Sequence, residues 1–190
     1  QAGGFFANPW RVTGGNILAT LVNDVDRDGH GNEGSPGYNR LWLGQYLELA
    51  DILDGYDLYP EADLYKNIKF KKMFYSMHPL MMSSIYGANI GDTGSTGYPT
   101  DLLNKSQYIK AFDKFRDPIF AQLVYSLGQN SLEGVNTGIF SQNPEGIAED
   151  MQAVIDRYGP LNPESENLTG FGFGIFTATN WHGHAGDLLV

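Results

Sequence analysis

The chain has 190 residues, a formal net charge of −10, twenty-four glycines and no cysteine. That length can bury a real core in one or two domains, and the lack of cysteine excludes disulfides and thiolate chemistry while leaving the compartment open. The acidic balance argues against a nucleic-acid partner, because phosphate binding needs clustered Lys and Arg; an acidic polysaccharide in a locally basic cleft remains compatible with it. No apolar run approaches the roughly 18 residues of a membrane span.

The first residues, Gln-Ala-Gly-Gly-Phe-Phe, carry neither an initiator Met nor a charged-then-apolar signal pattern, so the chain reads as part of a longer one. Residues 1–13 are irregular and aromatic, and 16–22 form a short apolar helix. The stretch 24–38, Asp-Val-Asp-Arg-Asp-Gly-His-Gly-Asn-Glu-Gly-Ser-Pro-Gly-Tyr, then concentrates three aspartates, His30, Asn32 and Glu33 among glycines. Glycine allows tight turns and close ligand approach. Ser35 and Pro36 suit a helix start. A polar loop anchored on a helix start is a site candidate, and three readings compete for it. One is a solvated, glycine-rich turn. The second is calcium: Asp24, Asp26, Asp28 and Gly29 fit the first half of an EF-hand loop, but Ser35 stands where the bidentate Glu is required. The third is an acid–base or substrate-clamping cluster of His30, Asn32 and Glu33.

Apolar residues recurring at three- and four-residue steps predict a helix over 38–54, stopped by Gly55. A second helix is expected over 62–77, with a solvated lysine stripe. Pro79 breaks it, and 80–86 is expected to form a further short helix. Residues 87–99 make a second glycine-rich loop. Helices follow over 105–115 and 118–127, the latter opened by Asp117-Pro118 and closed by Gly128. Residues 129–143 are loop, and a last helix runs from Asn143-Pro144 to Tyr158. The character changes at Pro160: Phe171 to Phe176 alternates like a strand. One strand cannot pair its edges alone, so its partners are expected downstream of Val190. The eleven Tyr, eleven Phe and three Trp suit sugar faces, although core packing accounts for most of them.

His182-Gly183-His184 is the second constellation. In extended backbone, residues two apart share a face, and the spacing recurs among metal ligands, although two ligands alone do not hold zinc.

A helical segment carrying Gly-Asn-Glu-Gly-Ser-Pro-Gly-Tyr, followed by a switch to strand ending in Trp-His-Gly-His-Ala, resembles the heparinase II/III-type polysaccharide lyases and the related alginate lyases. The resemblance covers most of the chain. It implies a mainly α fold, with part of an incomplete (α/α) toroid over 1–160 and the first strands of a truncated antiparallel β-sandwich over 161–190. It implies β-elimination on a uronic-acid-containing glycan, in the periplasm or outside the cell. By residue, it gives Tyr86, His182 and His30 catalytic roles, with Tyr38 the rival tyrosine. Asn32 and Glu33, with Tyr38, would bind substrate. His184 resembles a ligand to a structural zinc whose other ligands lie beyond this chain, and catalysis requires no cofactor. One departure is Gly186, which separates Ala185 from Asp187 where many members have the acid directly. The chemistry suits these residue types: hydrogen bonds to the uronate carboxylate stabilise the enolate-like intermediate, for which Glu33 would have to carry its proton. A tyrosine or neutral histidine then moves protons at C5 and at the C4 oxygen. The alternatives are a noncatalytic carbohydrate- or calcium-binding helical module, and a glycosidase pairing Glu33 with Asp92 at about 5–9.5 Å.

Overall fold

The computed structural model describes residues 16–82, 86–93, 100–137, 141, 143–179 and 185–189, with backbone alone at 100, 178–179 and 185–189. Among these residues the protein is mainly α, with six α-helices and two small antiparallel sheets. Helix α1 (Ile17–Asp24) starts where the Asn16 side chain accepts from the Ala19 amide at 2.9 Å, satisfying one of the orphan donors of a helix start. Helix α2 (Pro36–Leu53) opens on Pro36, whose fixed φ suits the first position. The expected helix over 62–77 is divided. Asp63 accepts from the Tyr65 amide and starts a 3₁₀ turn, Leu64–Lys66, and Asn67 accepts from the Lys69 and Phe70 amides to start α3 (Ile68–Tyr75). Short Asp and Asn side chains compete with the helix ladder for its own donors, so each one restarts the chain.

The short helix expected over 80–86 is also corrected. A 3₁₀ turn, His78–Leu80, leads into strand β1 (Met81–Met82), which pairs with β2 (Tyr86–Gly87), itself paired with β3 (Thr100–Asp101). Pro79 at the head of that turn cannot continue a helix ladder, and the pairing partner at 100–101 lies beyond the reach of local periodicity. Helices α4 (Lys105–Phe115) and α5 (Pro118–Leu127) have the expected limits, capped by Asn104 and Asp117, with Arg116 at φ 54° turning the corner between them. Helix α6 (Ile147–Tyr158) begins one turn later than expected, because the Asn143 side-chain Oδ1 accepts from the Gly146 amide in a separate turn.

The second sheet has the order β4 (Glu166–Leu168), β5 (Phe173–Thr179), β6 (Ala185–Leu189), antiparallel throughout. The strand expected to lack partners therefore has one on each side, Ile175 standing opposite both Glu166 and Leu189. Leu168 and Ile175 are buried in the same apolar cluster as the helices, and each such side chain contributes about 1.5–3 kcal/mol when fully buried. The heart of that cluster is aromatic: Phe74 meets Phe70, Phe115, Tyr108 and Phe120 edge-on, at centroid distances of 5.2 to 6.5 Å. Such edge-to-face geometry suits the ring quadrupoles. α4 and α6 flank α5, and α3 packs against α1 and α2, so the 24–38 loop, which joins α1 to α2, lies against α3. No helix among the described residues is long and apolar enough to cross a membrane.

Candidate active site

The loop between α1 and α2 is bound to α3 from below. Lys69 Nζ donates to the carbonyls of Val25 and Asp26, and Lys72 Nζ donates to the Arg27 carbonyl at 2.6 Å. The fit requires glycine at 29: its φ is +97°, and a Cβ there would stand 2.3 Å from the Lys72 carbonyl oxygen. Within the loop, Asp26 Oδ1 accepts from the amides of Asp28 and His30, at 2.8 and 2.9 Å. Asp24 Oδ1 accepts from Asn32 Nδ2 at 3.2 Å, and Asp28 Oδ2 accepts from the Gly170 amide at 2.5 Å. The three aspartates of the partial calcium pattern thus part toward three different partners.

The turn between β4 and β5 covers this loop. Arg27 donates to the Thr169 carbonyl at 3.3 Å, and Phe171 stacks on the His30 imidazole, centroids 4.1 Å apart and planes 10° from parallel. His30 is 0% exposed. Neither ring nitrogen makes a hydrogen bond of good geometry among the described residues, although Asp26 Oδ2 lies 3.8 Å from Nδ1. Burial lowers its pKa, outweighing the opposite pull of Asp26, the Ser76 backbone and Asp28. The ring is therefore held neutral, with one N–H and one lone pair. A cavity of 320 Å³ opens beside it, walled by Asp24, Asp26, Asn32, His30, Phe171 and Phe173 among others.

The other sequence-predicted residues fall on the adjoining surface. Asn32 and Glu33 are exposed, and Tyr38 is 39% exposed in the first turn of α2. Tyr86 is 40% exposed on β2, outside the core and not on the wall of the His30 cavity. The segment following it is nonetheless joined to the loop: Thr93 Oγ1 accepts from the Gly37 amide at 2.9 Å and shares a 2.7 Å hydrogen bond with Ser35 Oγ. Arg40, one turn into α2, donates to the carbonyl of Asp101, the residue paired with Tyr86. The structure thus brings His30 and Asn32 to one cavity and links their loop to the 86–93 segment. His182 and His184 lie outside the described residues. Nowhere do the described residues gather three His, Cys, Asp or Glu side chains that could hold a metal ion, so they supply no ready shell for the zinc implied by the resemblance.

No family model matches the chain, and no curated protein matches it. Function is therefore read from the site. Sequence reasoning missed Arg40, Thr93, Phe171 and Phe173. The Ser-Pro helix start marks where α2 begins but does not point to a threonine in the next glycine loop. Phe171 and Phe173 read as strand alternation, and only the turn between β4 and β5 brings Phe171 over His30, with Phe173 packed on Phe171.

Proposed function

We propose that the protein is a polysaccharide lyase that cleaves a uronic-acid-containing glycan by β-elimination. The observation that carries the reading is the junction through Thr93, which ties the loop of His30, Asn32 and Glu33 to the segment that starts at Tyr86. Exposed amide, carboxyl and phenol groups on joined segments are what a reaction at C5 and C4 of one sugar needs. The guanidinium of Arg40, at the edge of the sheet bearing Tyr86, supplies the positive charge that a uronate favours.

In this scheme the Asn32 amide, and Glu33 in the form that carries its proton, donate to the uronate carboxylate, so that the charge developing when the C5 proton leaves is spread onto oxygens already held. Tyr86 moves the proton between C5 and the departing C4 oxygen. His30 keeps a lone pair because burial holds it neutral, and it takes part as a base or as an orienting acceptor; His182 joins the proton transfer by resemblance alone. The C4–O bond breaks, a C4–C5 double bond forms, and the proton from C5 ends on the leaving oxygen or solvent. The incomplete (α/α) toroid followed by a β-sandwich belongs to the same proposal, as does a periplasmic or extracellular location.

The test uses the intact protein with alginate, hyaluronan, heparan sulfate and polygalacturonate, followed by the ultraviolet absorbance of the unsaturated uronide. Tyr86→Phe keeps the ring and deletes the hydroxyl, so turnover should fall by about 10²- to 10⁴-fold while the fold is retained. Cleavage without that absorbance is hydrolysis, refutes elimination and returns attention to Glu33 with Asp92. Elimination undiminished in Tyr86→Phe keeps the lyase and moves the proton-transfer role to Tyr38.

A further inference from the structure

We propose that the cavity between the His78–Leu80 turn and the β4–β5 hairpin is a binding site for a small organic cation, a primary ammonium on a short apolar stem. It stands apart from the lyase reading, sharing no lining residue with the cavity beside His30. The helical part supplies one wall: His78 and Met81, from the turn and β1, and Ile119 from α5. The second sheet supplies the other. Glu166 stands opposite Ile175, and directly paired residues share a face; Thr177, two residues along β5, shares it too. All three line the cavity. The linker that follows α6 completes the lining and is tied to β5, where Thr177 donates through its hydroxyl to the Glu164 carbonyl at 3.1 Å and through its amide to Ser165 Oγ at 3.0 Å.

The lining sorts into an apolar floor and an acidic mouth. Met81 and Ile175 are buried, whereas Glu164 and Glu166 are exposed. Those two carboxylates are the only charged side chains on the lining among the described residues, and neither has an ion-pair partner there. His78 adds a polar group without adding charge. Its ring nitrogens make no hydrogen bond among the described residues and, unlike those of His30, are not shut off from solvent. Burial lowers its pKa to about 4, so at ordinary pH the imidazole is neutral and offers a lone pair to a donor. The cavity measures 150 Å³. An apolar cavity of about that size holds benzene, so the space suits a guest of about six heavy atoms. An alkyl ammonium meets these features together: its stem lies on Met81, Ile119 and Ile175, and its N–H groups face acceptors at the mouth. An anion of the same shape would meet only like charge, and an alcohol would forgo the attraction.

The experiment titrates the intact protein with n-pentylamine, 1-pentanol and pentanoate at about pH 7, where an alkyl amine carries its proton. The three share a five-carbon chain and differ in charge. Binding is followed by the imidazole resonances of His78 and His30, each assigned by its loss in the His→Gln variant. Pentylammonium should shift His78, leave His30 in place and bind with a Kd of about 1 mM, a strength within reach of a guest this small. It should bind at least about threefold tighter than pentanol, as two exposed charge contacts allow, and pentanoate should bind weakest. Glu164→Gln together with Glu166→Gln should bring the amine down to the level of the alcohol and leave pentanol's affinity unchanged. Both side chains are exposed, so the fold should tolerate the pair. His78 undisturbed by the amine at about 10 mM, ten times the expected Kd, overturns the site. So does a shift of His30 in its place, pentanol binding as tightly as the amine, or an amine advantage that survives in the double variant.

Discussion

Gly29→Ala tests how the candidate loop is held, because two separate costs meet at that position. The first is conformational: φ is +97°, in a region where a Cβ costs roughly 1–2 kcal/mol. The second is steric. The new methyl carbon would stand 2.3 Å from the Lys72 carbonyl oxygen and 2.9 Å from the Met73 amide nitrogen. Both belong to the backbone of α3, which cannot swing aside as a side chain would. Overfilling of that kind typically costs about 1–3 kcal/mol. Gly34→Ala is the control: it lies in the same loop with φ +65° and nothing within 4 Å of its Cβ position. It bears the conformational cost alone, reduced by about 0.4–1 kcal/mol through the lower entropy of the unfolded chain. Gly29→Ala should therefore lose about 3 kcal/mol and Gly34→Ala about 1 kcal/mol or less. Urea midpoints at equal m-value give both figures. Equal losses in the two variants would show that the loop does not rest on α3 as described.

Two further perturbations probe the surroundings. Tyr108→Phe removes a fully buried hydroxyl that donates to the Phe74 carbonyl at 3.1 Å and leaves the ring in place; urea unfolding should show a loss of about 1 kcal/mol, and an unchanged midpoint would mean the hydroxyl is dispensable. Acidification should destabilise the fold, because burial lowers the pKa of His30 and brings that of His78 down to about 4. These groups leave stability intact above the unfolded value of 6.5; as pH falls below it, the unfolded chain takes up protons that the folded chain refuses. The loss is at most about 1.4 kcal/mol per pH unit per histidine, less for His78, which keeps part of its surface in solvent. A urea midpoint unchanged between pH 7.5 and pH 5 would contradict this, and His78→Gln should flatten the slope.

Elements were legible in the sequence where a local chemical signal sets their limits. The Asp117-Pro118 pair opens α5 where expected, because a cap acts on amides two or three residues away, and α4 keeps its expected limits with Asn104 as its cap. The same chemistry went unread at Asp63 and Asn67, where an unbroken apolar period hid two restarts. Strands β1 to β3 were not legible at all: each has two residues, and each exists through a partner supplied from outside its own local pattern. The site divides along the same line. The polar, glycine-rich composition of the loop and its Ser-Pro helix start mark it as a site candidate. The burial of His30 depends on Phe171, far along the chain, and no spacing within the loop announces it.

The aspartates show how tertiary context decides between readings that composition leaves open. An EF-hand loop turns alternate carboxylates and a backbone carbonyl onto one cation. In this loop the carbonyls of Val25, Asp26 and Arg27 already face cations, the ammonium groups of Lys69 and Lys72. With its backbone so committed, the loop sends its carboxylates to other partners: Asp24 to Asn32, Asp26 to the amides of Asp28 and His30, Asp28 to Gly170. A calcium ion seated at the first three positions would have to draw these side chains off their partners and bring a second positive charge up to the lysines. The lysine stripe of α3, which reads in sequence as a solvated face, is in part the support of the candidate site. By holding the loop from below with positive charge, it lets three acids stand within five residues of one another and leaves two of them, Asp24 and Asp26, on the wall of a cavity.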